Sequence, residues 1–156
     1  MSPAEAPEPG TPPSEVARSS SAEKQHASQP PAALQVVVGV DLLEHARLVE
    51  VYERFGQRFL ARVFTPTELE QASWRVERLA GRFAAKEACA KALGTGMVTV
   101  AWREIEVLRL EGGKPALRLH GRAATRAGAL GLAAFDVSIS DTKTHTVAVV
   151  VGVRSA

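Results

Sequence analysis

Residues 76–96 read Val-Glu-Arg-Leu-Ala-Gly-Arg-Phe-Ala-Ala-Lys-Glu-Ala-Cys-Ala-Lys-Ala-Leu-Gly-Thr-Gly. Apolar residues recur with helical spacing at Val76, Leu79, Ala80, Phe83, Ala84 and Ala90, and Gly94 is placed to stop the helix, so the spacing predicts one long helix from Val76 to Leu93. On either side the pattern changes. Upstream, Val36-Val37-Val38-Gly39-Val40 is the β-branched run of a strand covered on both faces, and Asp41 ends it. Leu43 to Phe55 then places Leu48, Val51, Tyr52 and Phe55 between charges, as in an amphipathic helix. Thr65-Pro66-Thr67-Glu68 matches a capping box with Pro at the first helical position.

Downstream of Gly96 the period becomes two. Ile105, Val107 and Leu110 lead to Gly112-Gly113, and Ala116 to Leu119 returns, which predicts a hairpin. Gly121 to Leu130 is Ala- and Arg-rich and reads as a helix. Phe135–Ser140 and Thr146–Val151 read as strands around the turn Asp141 to Thr144. The whole is an α+β domain, a mainly antiparallel sheet packed with a long helix.

The 156 residues are 46% hydrophobic and 23% charged, enough for one domain with a buried core and too few for two large ones. Seven of the nine prolines fall in residues 1–33, which contain no Leu, Ile, Phe, Tyr or Trp; the segment cannot bury enough surface to offset its ordering entropy and reads as a disordered tail. Residues 34–156 form the predicted domain. Cys89 is the only cysteine, so no internal disulfide is possible; among the alanines of the long helix it reads as a small core residue. The longest apolar run is far too short to cross a bilayer, and the N-terminus has no apolar segment resembling a signal peptide. A soluble, cytoplasmic protein is expected.

The formal net charge is +2, with −2 in residues 1–33 and +4 in the rest, a balance that suits an acidic partner or a phosphorylated ligand. Few aromatic residues and no recognised binding motif speak against nucleic acid.

Glu87 shares a helical face with Phe83 and Ala80, the side read as buried, so its carboxylate needs a partner there. Two partners are open: Lys91 one turn on, or a metal ion. Asp41 is either a helix cap or a second carboxylate at the mouth of a cleft, and two carboxylates from separate elements are what magnesium commonly takes from protein. Arg78, Arg82 and Lys86 recur every four residues beside Glu87, forming either a solvated basic face or a path for phosphates toward Lys91 and Gly94-Thr95-Gly96.

These residues resemble the holo-acyl-carrier-protein synthases, which are 4′-phosphopantetheinyl transferases. The resemblance runs over residues 36–152. It is carried by Val38-Gly39-Val40-Asp41-Leu42-Leu43-Glu44, Arg62 to Glu68, Gly113-Lys114-Pro115 and Val137-Ser138-Ile139-Ser140, and above all by Gly81 to Ala88 with Lys91 to Gly96. It implies the 4′-phosphopantetheinyl transferase fold and transfer of the phosphopantetheine arm of coenzyme A to a serine of apo-acyl carrier protein, releasing 3′,5′-ADP. By position, Asp41 and Glu87 correspond to magnesium ligands, with Glu87 also the base for the serine proton. Glu87, Asp41 and Lys86 are the implied catalytic group, and Arg82, Lys86, Lys91, Thr95, Gly96 and Thr142 the implied coenzyme A contacts. Arg47 matches a position that meets acidic residues of the carrier, and short members of the family assemble as homotrimers.

Two positions depart from the family: Asp136 and Asp141 stand where histidine is usual. An acid at 141 repels a phosphate unless a cation such as Lys143 or His145 compensates, and the alternative is a simple turn at residues 141–144. A coenzyme A or carrier-protein binding module with weakened catalysis is therefore the competing reading.

Overall fold

The computed structural model describes residues 35–154; the expected tail, residues 1–33, lies outside the described residues. β1 (Val36–Glu44) runs three residues past Asp41, because its pairing with the last strand of the sheet continues to Glu44 opposite His145. Residues in a strand alternate faces, so Gly39, Asp41 and Leu43 point to one side and Val36, Val38, Val40 and Leu42 to the other. Only the first side is covered: Leu43 is buried, while Val38 is 58% and Leu42 67% exposed. The expectation of a strand covered on both faces is corrected to that extent within one chain.

Two helices follow where one was expected. α1 (His45–Phe55) ends at Gly56, whose φ of 55° breaks the helix, and α2 (Gln57–Val63) restarts at once. The capping box is present as expected: Thr65 N donates to Glu68 Oε2 at 2.7 Å, Glu68 N donates back to Thr65 Oγ1 at 3.3 Å, and Pro66 opens α3 (Pro66–Gln71).

The helix expected over 76–93 is split. Val76–Arg78 form a 3₁₀ turn, which lets Leu79 drop into a small core with Leu60, Val63, Phe64, Leu69 and Ala72. α4 (Ala80–Ala92) then lies across β1, and Gly39 is what admits it: a Cβ there would fall 1.9 Å from the Ala88 carbonyl oxygen. Close approach of two backbones explains the small residues facing the sheet, Ala84, Ala85, Ala88, Cys89 and Ala92, all buried. Burial pushes the Cys89 thiol up to about 12, as a core residue requires.

A single turn, α5 (Gly96–Thr99), leads to the predicted hairpin, β2 (Ile105–Arg109) and β3 (Pro115–Leu119), turned by Gly112 and Gly113 at positive φ. α6 (Gly121–Ala129) precedes β4 (Leu132–Asp141) and β5 (His145–Arg154). The strands form two antiparallel sheets, β1-β5-β4 and β2-β3. The main core fills the space between α4 and the three-stranded sheet. Among the described residues no helix is long and apolar enough to cross a membrane.

Candidate active site

The strand alternation that buries Leu43 also aims Asp41 at α4. Lys91 on that helix meets it, its Nζ donating to Asp41 Oδ1 at 2.8 Å and to the Val40 carbonyl at 2.9 Å. Asp41 is not a helix cap: Glu44 holds the position before α1. One turn before Lys91, Glu87 is half-buried and opens with Asp41, Arg47, Glu50, Phe59 and Phe83 onto a cleft of about 450 Å³. Burial and then the Asp41 charge hold the Glu87 carboxyl above its ordinary range, with Lys91 opposing them. The ammonium of Lys91 is thus placed on Asp41, not on Glu87, and the cleft gathers the carboxylates of Asp41, Glu50 and Glu87, with Arg47 also on its lining.

Glu87 does share its face with Phe83, as the helical count predicts, but that face borders the cleft. The fully buried neighbour is Lys86, 0% exposed, whose side chain points into the core and away from the cleft that Asp41 and Glu87 line. Its Nζ donates to Glu68 Oε2 at 2.8 Å, to the Trp102 carbonyl at 3.0 Å and to the Ile105 carbonyl. Burial lowers its pKa and Glu68 opposes that shift. Glu68 also accepts from Val107 N at 2.9 Å, so one carboxylate joins α3, α4 and β2. Beside it, Thr65 Oγ1 donates to Glu106 Oε1 at 2.8 Å, and His120 Nε2 lies 3.0 Å from Glu106 Oε2. The sequence showed the capping box but not this second use of Glu68, since nothing in the spacing links residues 68 and 86.

The other implied coenzyme A contacts are spread from the start of α4 to just past its end and to the β4–β5 turn. Arg82, near the start of α4, donates to the Val107 carbonyl, the Arg78 carbonyl and Gln71 Oε1 at 3.2–3.3 Å, and burial lowers its pKa. It lines a polar cavity of about 520 Å³ with Arg78, Arg109, Asp141 and His45. Thr142 follows Asp141, its hydroxyl accepting from His145 N at 2.9 Å. At the other end of α4, Thr95 N and Oγ1 both donate to the Ala90 carbonyl, and Gly96 takes a φ of 54°. A single chain therefore gathers Asp41, Glu87, Lys91 and Arg47 at one cleft and Arg82 with Asp141 at another cavity. Of the departures, Asp136 is exposed and held low by Lys114, 3.1 Å away. Asp141 accepts a hydrogen bond from Thr146, and neither Lys143 nor His145 pairs with its carboxylate among the described contacts.

The model of the 4′-phosphopantetheinyl transferase superfamily matches residues 37–150, a span that contains both carboxylates and all of α4. The chain belongs to this superfamily. A holo-[acyl-carrier-protein] synthase of Herpetosiphon aurantiacus is 47% identical over 124 residues, covering 75% of this chain and 98% of the relative. A crystal structure of such a synthase from Neisseria meningitidis superposes with a TM-score of 0.68 at 34% identity, over 74% of this chain and 96% of that one. A Bacillus anthracis synthase in complex with CoA (3′,5′-ADP) gives 0.65 at 33% identity, over 79% of this chain and all of that one. The phosphopantetheinyl transferase fold expected from the sequence is the fold observed.

Proposed function

We propose that the chain transfers the 4′-phosphopantetheine group of coenzyme A to a serine hydroxyl of apo-acyl carrier protein, releasing 3′,5′-ADP. The observation that carries this reading is the shared cleft of Asp41 and Glu87, two carboxylates from a strand and a helix whose mutual repulsion calls for a cation. The hard oxygen donors of Asp41 and Glu87, brought to one cleft from a strand and a helix, fit Mg2+, which takes one or two carboxylates and completes its shell with substrate phosphate and water. Asp41 and Glu87 would hold the ion, which supplies charge neutralisation at the pyrophosphate and orientation of the incoming hydroxyl.

The chain's own groups do the rest. The Glu87 carboxyl, held above its ordinary range, accepts the serine proton as the serine oxygen bonds to the phosphorus bearing pantetheine and the pyrophosphate P–O bond breaks. Lys91 braces Asp41 from the side and presents positive charge to the phosphates. Arg82, Thr95, Gly96 and Thr142 complete the coenzyme A contacts, while Lys86 supports α4 from behind. Arg47 on the cleft rim meets an acidic carrier surface, and an apolar groove next to it, edged by Arg58 and Arg62, extends that surface. The open face of β1 supports assembly as a homotrimer. A cytoplasmic place, a domain over residues 34–156 and a tail outside it complete the reading.

The test is incubation of the protein with coenzyme A, magnesium and several apo-acyl carrier proteins, followed by the intact mass of the carrier. The expected result is a gain of one phosphopantetheine that chelator abolishes. Coenzyme A binding without any transfer would instead establish the weakened binding module, with Asp136 and Asp141 as the residues to revert.

A further inference from the structure

Asp141, Thr146 and His45 are joined by side-chain hydrogen bonds across the end of the three-stranded sheet, one residue each from β4, β5 and α1. The fully buried Thr146 hydroxyl donates to Asp141 Oδ1 and lies 2.8 Å from His45 Nε2. A hydroxyl has one proton and an ionised carboxylate can only accept. With that proton on Asp141, Thr146 Oγ1 accepts from His45, so Nε2 carries hydrogen and the chain runs imidazole to hydroxyl to carboxylate. A backbone bond runs beside it, His45 N to the Thr144 carbonyl at 2.8 Å. Two bonds from one residue therefore fix the start of α1 against the turn that carries Thr142.

The chain of bonds also decides where the Asp141 charge points. A Cβ on Gly81 would lie 4.0 Å from Asp141 Oδ1, which sets the carboxylate over the first turn of α4, where unpaired helix N–H groups favour an anion. Asp141 and His45 open on the same cavity as Arg78, Arg82 and Arg109. A carboxylate free to turn in that cavity would take up the guanidinium groups that an incoming phosphate needs.

We propose that His45, through the Thr146 hydroxyl, holds Asp141 away from Arg82 and fixes the β4–β5 turn, so that the three residues act as one positioning unit for coenzyme A binding. This rests on the coenzyme A reading given above. It accounts for an acid at 141, where the family has histidine: the acid is restrained, and an imidazole reaches the cavity from α1.

The experiment is a mutant cycle read by calorimetric coenzyme A binding and by kcat and KM for coenzyme A and for carrier. Thr146→Val and His45→Leu should each weaken coenzyme A binding about 5- to 20-fold, raise its KM in proportion, and leave kcat and the carrier KM within about twofold. Thr146→Ser, which keeps the hydroxyl, should bind as the wild type does. In an Asp141→Asn background the Thr146→Val penalty should disappear, because the competing charge is gone. Wild-type affinity in Thr146→Val, or the same penalty in both backgrounds, would overturn the unit while leaving transfer intact. Should Thr146→Val fail to fold, the His45→Leu and Asp141→Asn pair gives the same cycle. A wild-type chain that binds no coenzyme A overturns both this proposal and the reading beneath it.

Discussion

At the scale of single residues, Glu87 shows how a site costs stability. Its carboxyl is held above the ordinary value near 4.5 by burial first and by Asp41 second, so the fold favours its protonated form. The stabilising contribution of that form is complete below the unfolded value and is lost as pH rises through the raised folded value. At neutral pH and without metal the ionised group is therefore a burden. Glu87→Gln, neutral throughout, should melt higher than wild type at pH 7 in chelator, by a few degrees at most, with the gap closing below about pH 4.5. The same variant should lose transfer by at least about 100-fold, the usual scale for removing a general base. Melting curves at pH 4 and pH 7 beside a transfer assay check both halves, and a variant that melts lower at pH 7 would sink the account.

At the scale of elements, α4 is held by charge on one side and by close backbone contact on the other. Gly39 and the alanines of α4 were legible in the sequence as small residues in helical and strand patterns, and so were the hairpin and the capping box. The exchange of environments between Lys86 and Glu87 was not. Periodicity places residues on a face but cannot say whether that face meets core or cleft, and the partner that makes burial of Lys86 tolerable lies 18 residues away on α3. The break at Val76–Arg78 and the second helix after Gly56 escaped for a similar reason: tertiary packing of Leu79 and Leu60 in the small core overrides a continuous apolar pattern. Asp41 and Glu87 were legible as carboxylates on separate elements, with a cap and an ion pair open beside a metal role that only the family resemblance implied, and the structure brings both to one cleft. Lys86→Met should therefore lower stability by about 3–5 kcal/mol, since it strands the fully buried Glu68 carboxylate, whereas the double variant Lys86→Met/Glu68→Leu should cost less than the single one. Denaturant melts measure this, and kcat per folded molecule should stay within a few-fold of wild type. A folded Lys86→Met protein with wild-type stability and no activity would put Lys86 in the catalytic group.

At the scale of the whole molecule, the sheet has a face that one chain leaves open. Val36, Val38, Val40 and Leu42 stand opposite Val153, Val151, Val149 and Val147 in register, and directly paired residues point the same way. Eight aliphatic side chains thus form a continuous surface on the side away from α4, with the β1 members more than half exposed. Scattered apolar residues on a surface need no explanation, but a contiguous sheet face of this kind is the sort of surface an interface uses. A symmetric homo-oligomer covers such a face with copies of itself, which is the assembly the family resemblance implies. Such cover would also account for the β-branched run at residues 36–40, which has the composition of a strand buried on both sides although a single chain buries one. The implied coenzyme A contacts are divided in the single chain between the Asp41–Glu87 cleft and the Arg82 cavity, so the trimer proposed above would have to bring the two together for one coenzyme A to touch both. Val38→Lys places a charge in the middle of this face without touching the core. It should convert a trimer to monomers in light scattering, leave the monomer's melting temperature within a few degrees of the isolated fold, and reduce transfer at least tenfold. A wild-type chain that runs as a monomer at micromolar concentration, or a Val38→Lys chain that stays trimeric and fully active, would show that the open face serves something other than self-assembly.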